Sequence, residues 1–98
     1  MYEIRKTDIF VRWLDELADR RGRAKILSRL DRVAEGNLGD TKPVGPSVAE
    51  LRIAFGPEYR VYYTKRRNVV IILLLGGDKS SQERDIKRPI QMAQDLEE

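Results

Sequence analysis

Seven consecutive apolar residues, Val69 to Leu75 in VVIILLL, constrain this chain more than any other stretch. A strand sends alternate side chains to opposite faces, so a run that is apolar at every position buries both of them. It is far too short to cross a bilayer. It predicts an interior strand over Asn68 to Gly76, covered at least in part on each side. The cover must come from the other residues of a 98-residue chain, read as one domain with a single modest core.

Two amphipathic helices are available for that purpose. After a short strand, Tyr2 to Lys6, Thr7 and Asp8 supply an N-cap and a first-turn carboxylate. Phe10, Trp13, Leu14, Leu17 and Ala18 then recur at helical spacing. Gly22 in DRRGRAK reads as a break, followed by a second helix with Ile26, Leu27, Leu30, Val33 and Ala34 on its apolar side. Gly36 suits the left-handed position that ends it. Residues 36–47 read as a Gly/Pro-rich loop, long enough to be functional. Strands are expected over Val48 to Phe55 and Tyr59 to Lys65. A last helix opens on SSQE, where Ser80 and Glu83 have capping-box spacing, and Pro89 should kink or restart it. The order β-α-α-β-β-β-α predicts an α+β fold, a helical hairpin packed on one face of a curved, mainly antiparallel four-stranded sheet.

Strand parity separates the two faces of the central hairpin. Leu51, Ile53 and Phe55 share one side with Tyr59, Val61 and Tyr63, which leaves Arg52, Arg60 and Tyr62 on the other. Pairing Phe55 with Tyr59 around a three-residue loop, Gly56 to Glu58, makes Arg52 and Arg60 diagonal neighbours, Cα atoms on the order of 7–8 Å apart. Two readings remain open for them. Glu50 and Glu58 can neutralise them in cross-strand pairs worth under about 1 kcal/mol. Alternatively, the forked guanidinium donors, flanked by Lys42 and Lys79 and by the Tyr62 ring, form a platform for phosphate and unpaired bases. The cations Arg20, Arg21, Arg23, Lys25, Arg29 and Arg32 read as solvated charges on the helices.

Composition narrows the chemistry further. There is no cysteine, hence no disulfide framework and no thiolate metal site. There is no histidine, which removes the commonest general base and metal ligand. No metal or cofactor is expected, and acid–base work falls to Lys, Arg, Tyr, Asp or Glu. MYEIRKTDIF lacks the apolar core of a secretory signal, so a cytoplasmic location without a membrane partner is expected. A net charge of +3 is a mild pointer to a polyanion.

Three stretches, FVRWLDELADRRGRAKILSRLDRVAEGNLGD, VAELRIAFGPEYRVYY and VVIILLLGGDKSSQERDI, resemble in sequence and order the addiction-module killer proteins of the RelE/ParE toxin superfamily, the HigB-like, phage-derived Gp49-like group. The resemblance implies the toxin of a type II toxin–antitoxin system, a metal-independent endoribonuclease that cuts messenger RNA on the ribosome, leaving a 2′,3′-cyclic phosphate and a 5′-hydroxyl. It implies Arg52 and Arg60 on the scissile phosphate, with Lys79 as proton donor or charge stabiliser. Lys42, Tyr62 and Gln82 would contact substrate. It further implies an antitoxin partner, commonly a small helix-turn-helix protein, and a higher-order complex on operator DNA. The superfamily also contains ParE-like inhibitors of DNA gyrase and inactive relatives that only bind antitoxin. A C-terminal tyrosine used by some RelE enzymes is absent here, KSSQERD standing in its place.

Overall fold

The computed structural model describes residues 1–78 and 86–96. Eight elements follow in order: β1 (Glu3–Lys6), α1 (Asp8–Asp15), α2 (Arg20–Ala34), β2 (Thr41–Gly45), β3 (Val48–Ile53), β4 (Tyr59–Arg66), β5 (Val70–Asp78) and α3 (Lys87–Asp95). They form a mixed α+β fold with one five-stranded sheet, ordered β1-β5-β4-β3-β2. β1 runs parallel to β5, and every other neighbouring pair is antiparallel.

The apolar run occupies the interior strand β5, covered on both sides. Ile71 and Leu73 join Phe10, Leu14, Ile26, Leu30 and Val33 of the first two helices, together with Leu51, Ile53, Tyr59, Val61 and Tyr63. Leu74 faces the opposite way, into a smaller cluster with Val48, Tyr62 and Ala93 of α3, flanked by Ile72 and Ile90. α3 is further tied down by Arg66, whose Nη2 donates to the Ala93 carbonyl at 2.7 Å. Pro89 is the third residue of this helix, in the first turn, where an amide has no intrahelical acceptor to lose. The expected Ser80–Glu83 capping box lies outside the described residues.

Three expectations are corrected. The sheet has five strands, because Thr41–Gly45, expected as loop, pairs with β3. Its short length, Pro43 and a register shift between Pro43 and Gly45 are the marks of an edge strand, and they disguise it in the sequence. Gly22 does not break the helices. α1 ends at Asp15, and Asp19 caps α2 by accepting from the Gly22 amide at 2.9 Å. Gly22 is small for another reason: a Cβ there would lie 2.6 Å from the Tyr59 ring and 2.7 Å from Asp19 Oδ2.

The third correction is the hairpin register. Ile53, not Phe55, pairs with Tyr59, so the connection spans residues 54–58 and Arg52 lies directly opposite Arg60. A shift of two residues keeps every side chain on its face, so apolar patterning does not distinguish the registers. The turn does. Gly56 and Glu58 both take positive φ, +58° and +66°, and the Glu58 amide donates to the Phe55 carbonyl at 3.0 Å.

Candidate anion-binding cleft

Direct cross-strand opposition of two arginines is unfavourable unless carboxylates intervene. Each arginine has one. Arg52 Nη2 and Nε both donate to Asp40 Oδ1, at 2.9 and 3.2 Å. The Arg52 side chain is 39% exposed and that of Asp40 55%. This is a solvated pair, worth under about 1 kcal/mol. Arg60 differs: its side chain is 10% exposed, with Nε 3.7 Å from Oε1 of Glu50, itself 1% exposed. At that separation the charges attract without a hydrogen bond, and the buried Nε has no acceptor.

The expectation of two arginines on an uncovered surface is therefore half met. Arg52 is accessible; Arg60 is buried and opposed by a carboxylate. Together with Asp40, Ile53, Ala54 and Glu58 they line a cleft of about 250 Å³. Glu58 holds its left-handed backbone without being glycine, a conformation that costs of order 1 kcal/mol and recurs at ligand sites.

The other predicted site residues divide. Lys42 is exposed on β2 opposite Glu50, and so shares the sheet face of Arg52 and Arg60 one row away. Tyr62 does not offer a stacking surface. It is 7% exposed, packed with Val48, Leu74 and Ala93, because α3 covers this part of the face. Lys79 and Gln82 lie outside the described residues.

Arg29, read in the sequence as a solvated charge, is the residue that builds the cleft wall. It is 8% exposed. Its Nη1 donates to the Arg52 carbonyl at 2.7 Å, and its Nη2 donates to the carbonyls of Asp40 at 2.7 Å and Leu38 at 2.9 Å. One guanidinium thus fixes the backbone of both Arg52 and the carboxylate that pairs with it. Burial, then nearby Arg32, pull its pKa below the ordinary guanidinium value, while Asp40 acts in the opposite direction. The signal was available: Ile26, Arg29, Leu30 and Val33 have i, i+3, i+4, i+7 spacing, which places Arg29 on the buried stripe.

A second polar link secures the hairpin. Tyr59 donates its hydroxyl to Asp19 Oδ2 at 2.6 Å. That bond raises the phenol pKa to about 12 and lowers that of the carboxyl, which also accepts from the Gly22 amide. Among the described residues there is no cluster of three or more Asp, Glu, His or Cys suited to a metal ion, and no helix long and apolar enough to cross a membrane.

Comparison with known proteins adds two findings. The sequence model of the family "Phage derived protein Gp49-like (DUF891)" matches residues 12–97. A Haemophilus influenzae protein described as uncharacterized is 46% identical over 94 residues, covering 96% of this chain and 95% of its own length.

Proposed function

The chain belongs to the phage-derived Gp49-like family, and from that premise we propose that it is the toxin of a type II toxin–antitoxin pair on a RelE/ParE-like scaffold, an endoribonuclease of messenger RNA on translating ribosomes. The observation that carries the reading is the opposition of Arg52 and Arg60 across two paired strands inside one cleft. In such a reaction the 2′-hydroxyl attacks the neighbouring phosphorus. The bond to the 5′-oxygen breaks, a cyclic phosphate forms, and the departing oxygen takes a proton. Arg52 exchanges one oxygen of exposed Asp40 for the phosphate, whose paired oxygens match the guanidinium fork. Arg60, immobilised beside Glu50, contributes fixed positive charge where negative charge develops. Asp40 and Glu58 are the carboxylates within the cleft for the 2′-hydroxyl proton, and Lys79 is the proposed donor to the leaving oxygen. Lys42 extends the contact along the same face. An antitoxin, of the small helix-turn-helix kind, masks this face and carries the pair to operator DNA.

Arg52→Ala is the decisive variant, because it removes an exposed cation and leaves no buried charge. Arg60→Ala removes a buried cation beside buried Glu50, so it reports folding as much as chemistry. Primer extension on cellular messages after induction should show in-frame cuts with the parent and none with Arg52→Ala, and growth should recover. Full toxicity of a folded Arg52→Ala protein overturns the reading.

One observation favours a second reading. Among the described residues the cleft balances two arginines against Asp40 and Glu58, a composition suited to a protein contact. A ParE-like action on DNA gyrase would then produce an SOS response and DNA breaks, with translation continuing in the first minutes of induction.

A further inference from the structure

On the opposite side of the same hairpin lies a second, larger groove, of about 520 Å³, lined by Arg21, Ala24, Lys25, Ser28 and Phe55. Its volume falls within the roughly 300–1,000 Å³ of nucleotide- and drug-sized sites. The four α2 residues recur at i, i+3, i+4 and i+7, so they form one exposed stripe of the helix. Large cations alternate there with small Ala24 and Ser28, which leaves a trough between the charges. Phe55, half-buried, forms the wall from the hairpin turn, and Lys25 Nζ stands 5.6 Å from its ring centroid. Among the described residues the lining carries two cations and no carboxylate, in contrast to the balanced arginine cleft.

A partly exposed aromatic ring with cations beside it is the combination that holds single-stranded nucleic acid, a base displacing Lys25 from the ring. The base stacks on the ring and the backbone phosphate meets the charge. An acidic polypeptide fits less well, because among the described residues Phe55 is the one large apolar group in the groove and protein hot spots need a fuller apolar pocket. Position agrees. Ile53 and Ala54 line the arginine cleft and Phe55 is the next residue. The tip between the two sites, Ala54 and Gly56, is exposed and nearly without side chains. A strand leaving the arginine cleft over this low tip arrives at Phe55.

We propose that the groove is a nucleotide subsite for single-stranded RNA, with a base stacked on Phe55 and its phosphate held by Lys25 and Arg21. The proposal rests on the reading of the arginine cleft as a phosphate site, and the test separates the two. The probe is a short fluorescein-labelled single-stranded RNA titrated by anisotropy at several salt concentrations, with folding of each variant checked by circular dichroism. Phe55→Leu keeps an apolar contact but removes the ring, and should weaken binding roughly 5- to 100-fold. Lys25→Gln and Arg21→Gln should each flatten the dependence of log affinity on log salt by about 0.7. Phe55→Trp should retain binding, and its fluorescence should be quenched on stacking. Parent-like affinity and salt dependence in the Leu and Gln variants overturn the subsite, and if Arg52→Ala still weakens binding the arginine cleft stands. If polyglutamate binding is lost in these variants while RNA binding is untouched, the groove belongs to an acidic polypeptide and the proposal is wrong. If the parent binds no RNA, the subsite is overturned, while the reading of the arginine cleft is decided by the in-frame cuts of the parent and their loss in Arg52→Ala.

Discussion

Arg29 donates to the carbonyls of Leu38, Asp40 and Arg52 from a position almost closed to solvent. Replacing it with Met preserves length and apolar packing but removes the guanidinium from three carbonyls, of which that of Asp40 keeps the Arg52 amide as a donor. Arg29→Met should therefore cost about 3 kcal/mol or more in urea unfolding, since hydrogen bonds to charged donors are worth roughly 1.5–3 kcal/mol each. Arg29→Lys, with a single point of attachment, should recover only part of that. The Tyr59–Asp19 bond makes a different prediction. The folded phenol titrates near 12 against an ordinary value of 10.0, so the native state holds its proton where the unfolded chain releases it. Its contribution is complete below pH 10 and is lost as pH rises towards 12. Tyr59→Phe should abolish that alkaline decline, read as urea midpoints across the interval. Asp19, with its pKa lowered, works in the opposite sense: its contribution is present above the ordinary carboxyl range and is lost on acidification. Neither link was legible from residue type, because both Arg and Asp are abundant on the surface; helical spacing marks Arg29 as buried, and only the fold supplies the partners of either residue.

At the scale of elements, apolar spacing was sufficient for the helix stripes and for the doubly covered strand β5, because burial there repeats with the backbone period. It did not reveal β2, whose pairing depends on backbone hydrogen bonds that leave no apolar trace. Nor did it reveal the hairpin register, since a two-residue slip is silent to face parity, or the cover that α3 lays over Tyr62. Gly22 illustrates how local and tertiary preferences compete. In a helix, alanine is favoured over glycine by about 1 kcal/mol. Here the added methyl meets the fully buried Tyr59 ring and the Asp19 carboxylate. Overpacking of this kind costs typically about 1–3 kcal/mol, so Gly22→Ala should lower the thermal midpoint despite its better propensity. The same substitution should also move the alkaline titration of Tyr59 back towards 10, because it pushes the phenol from its acceptor.

For the whole molecule, one hairpin organises the functional face. Its strands set Arg52 against Arg60, its turn carries Glu58 into one cleft and Phe55 into another groove, and Arg29 fixes its root. The arginine pair was visible in the sequence because parity alone assigns a face. The burial of Arg60 was not, because it depends on tertiary surroundings that include buried Glu50. A truncation tests how far the sheet depends on its closing strands: a chain ended at Arg66 lacks β5 and α3, and should show no cooperative thermal transition by circular dichroism.

The parallel pairing of β1 with β5 also sets a timetable for the chain as it is made. Glu3 pairs with Val70, and the Thr7 hydroxyl donates to the carbonyl of Leu74, 67 residues further on. β1 therefore waits for its partner until the residues of β5, more than 60 positions later, have been synthesised. Closure over so long a separation is slow relative to local helix formation. A newborn chain thus closes its sheet only once β5 has been made, whereas the residues that line both hairpin clefts, all between Arg21 and Arg60, are made before it.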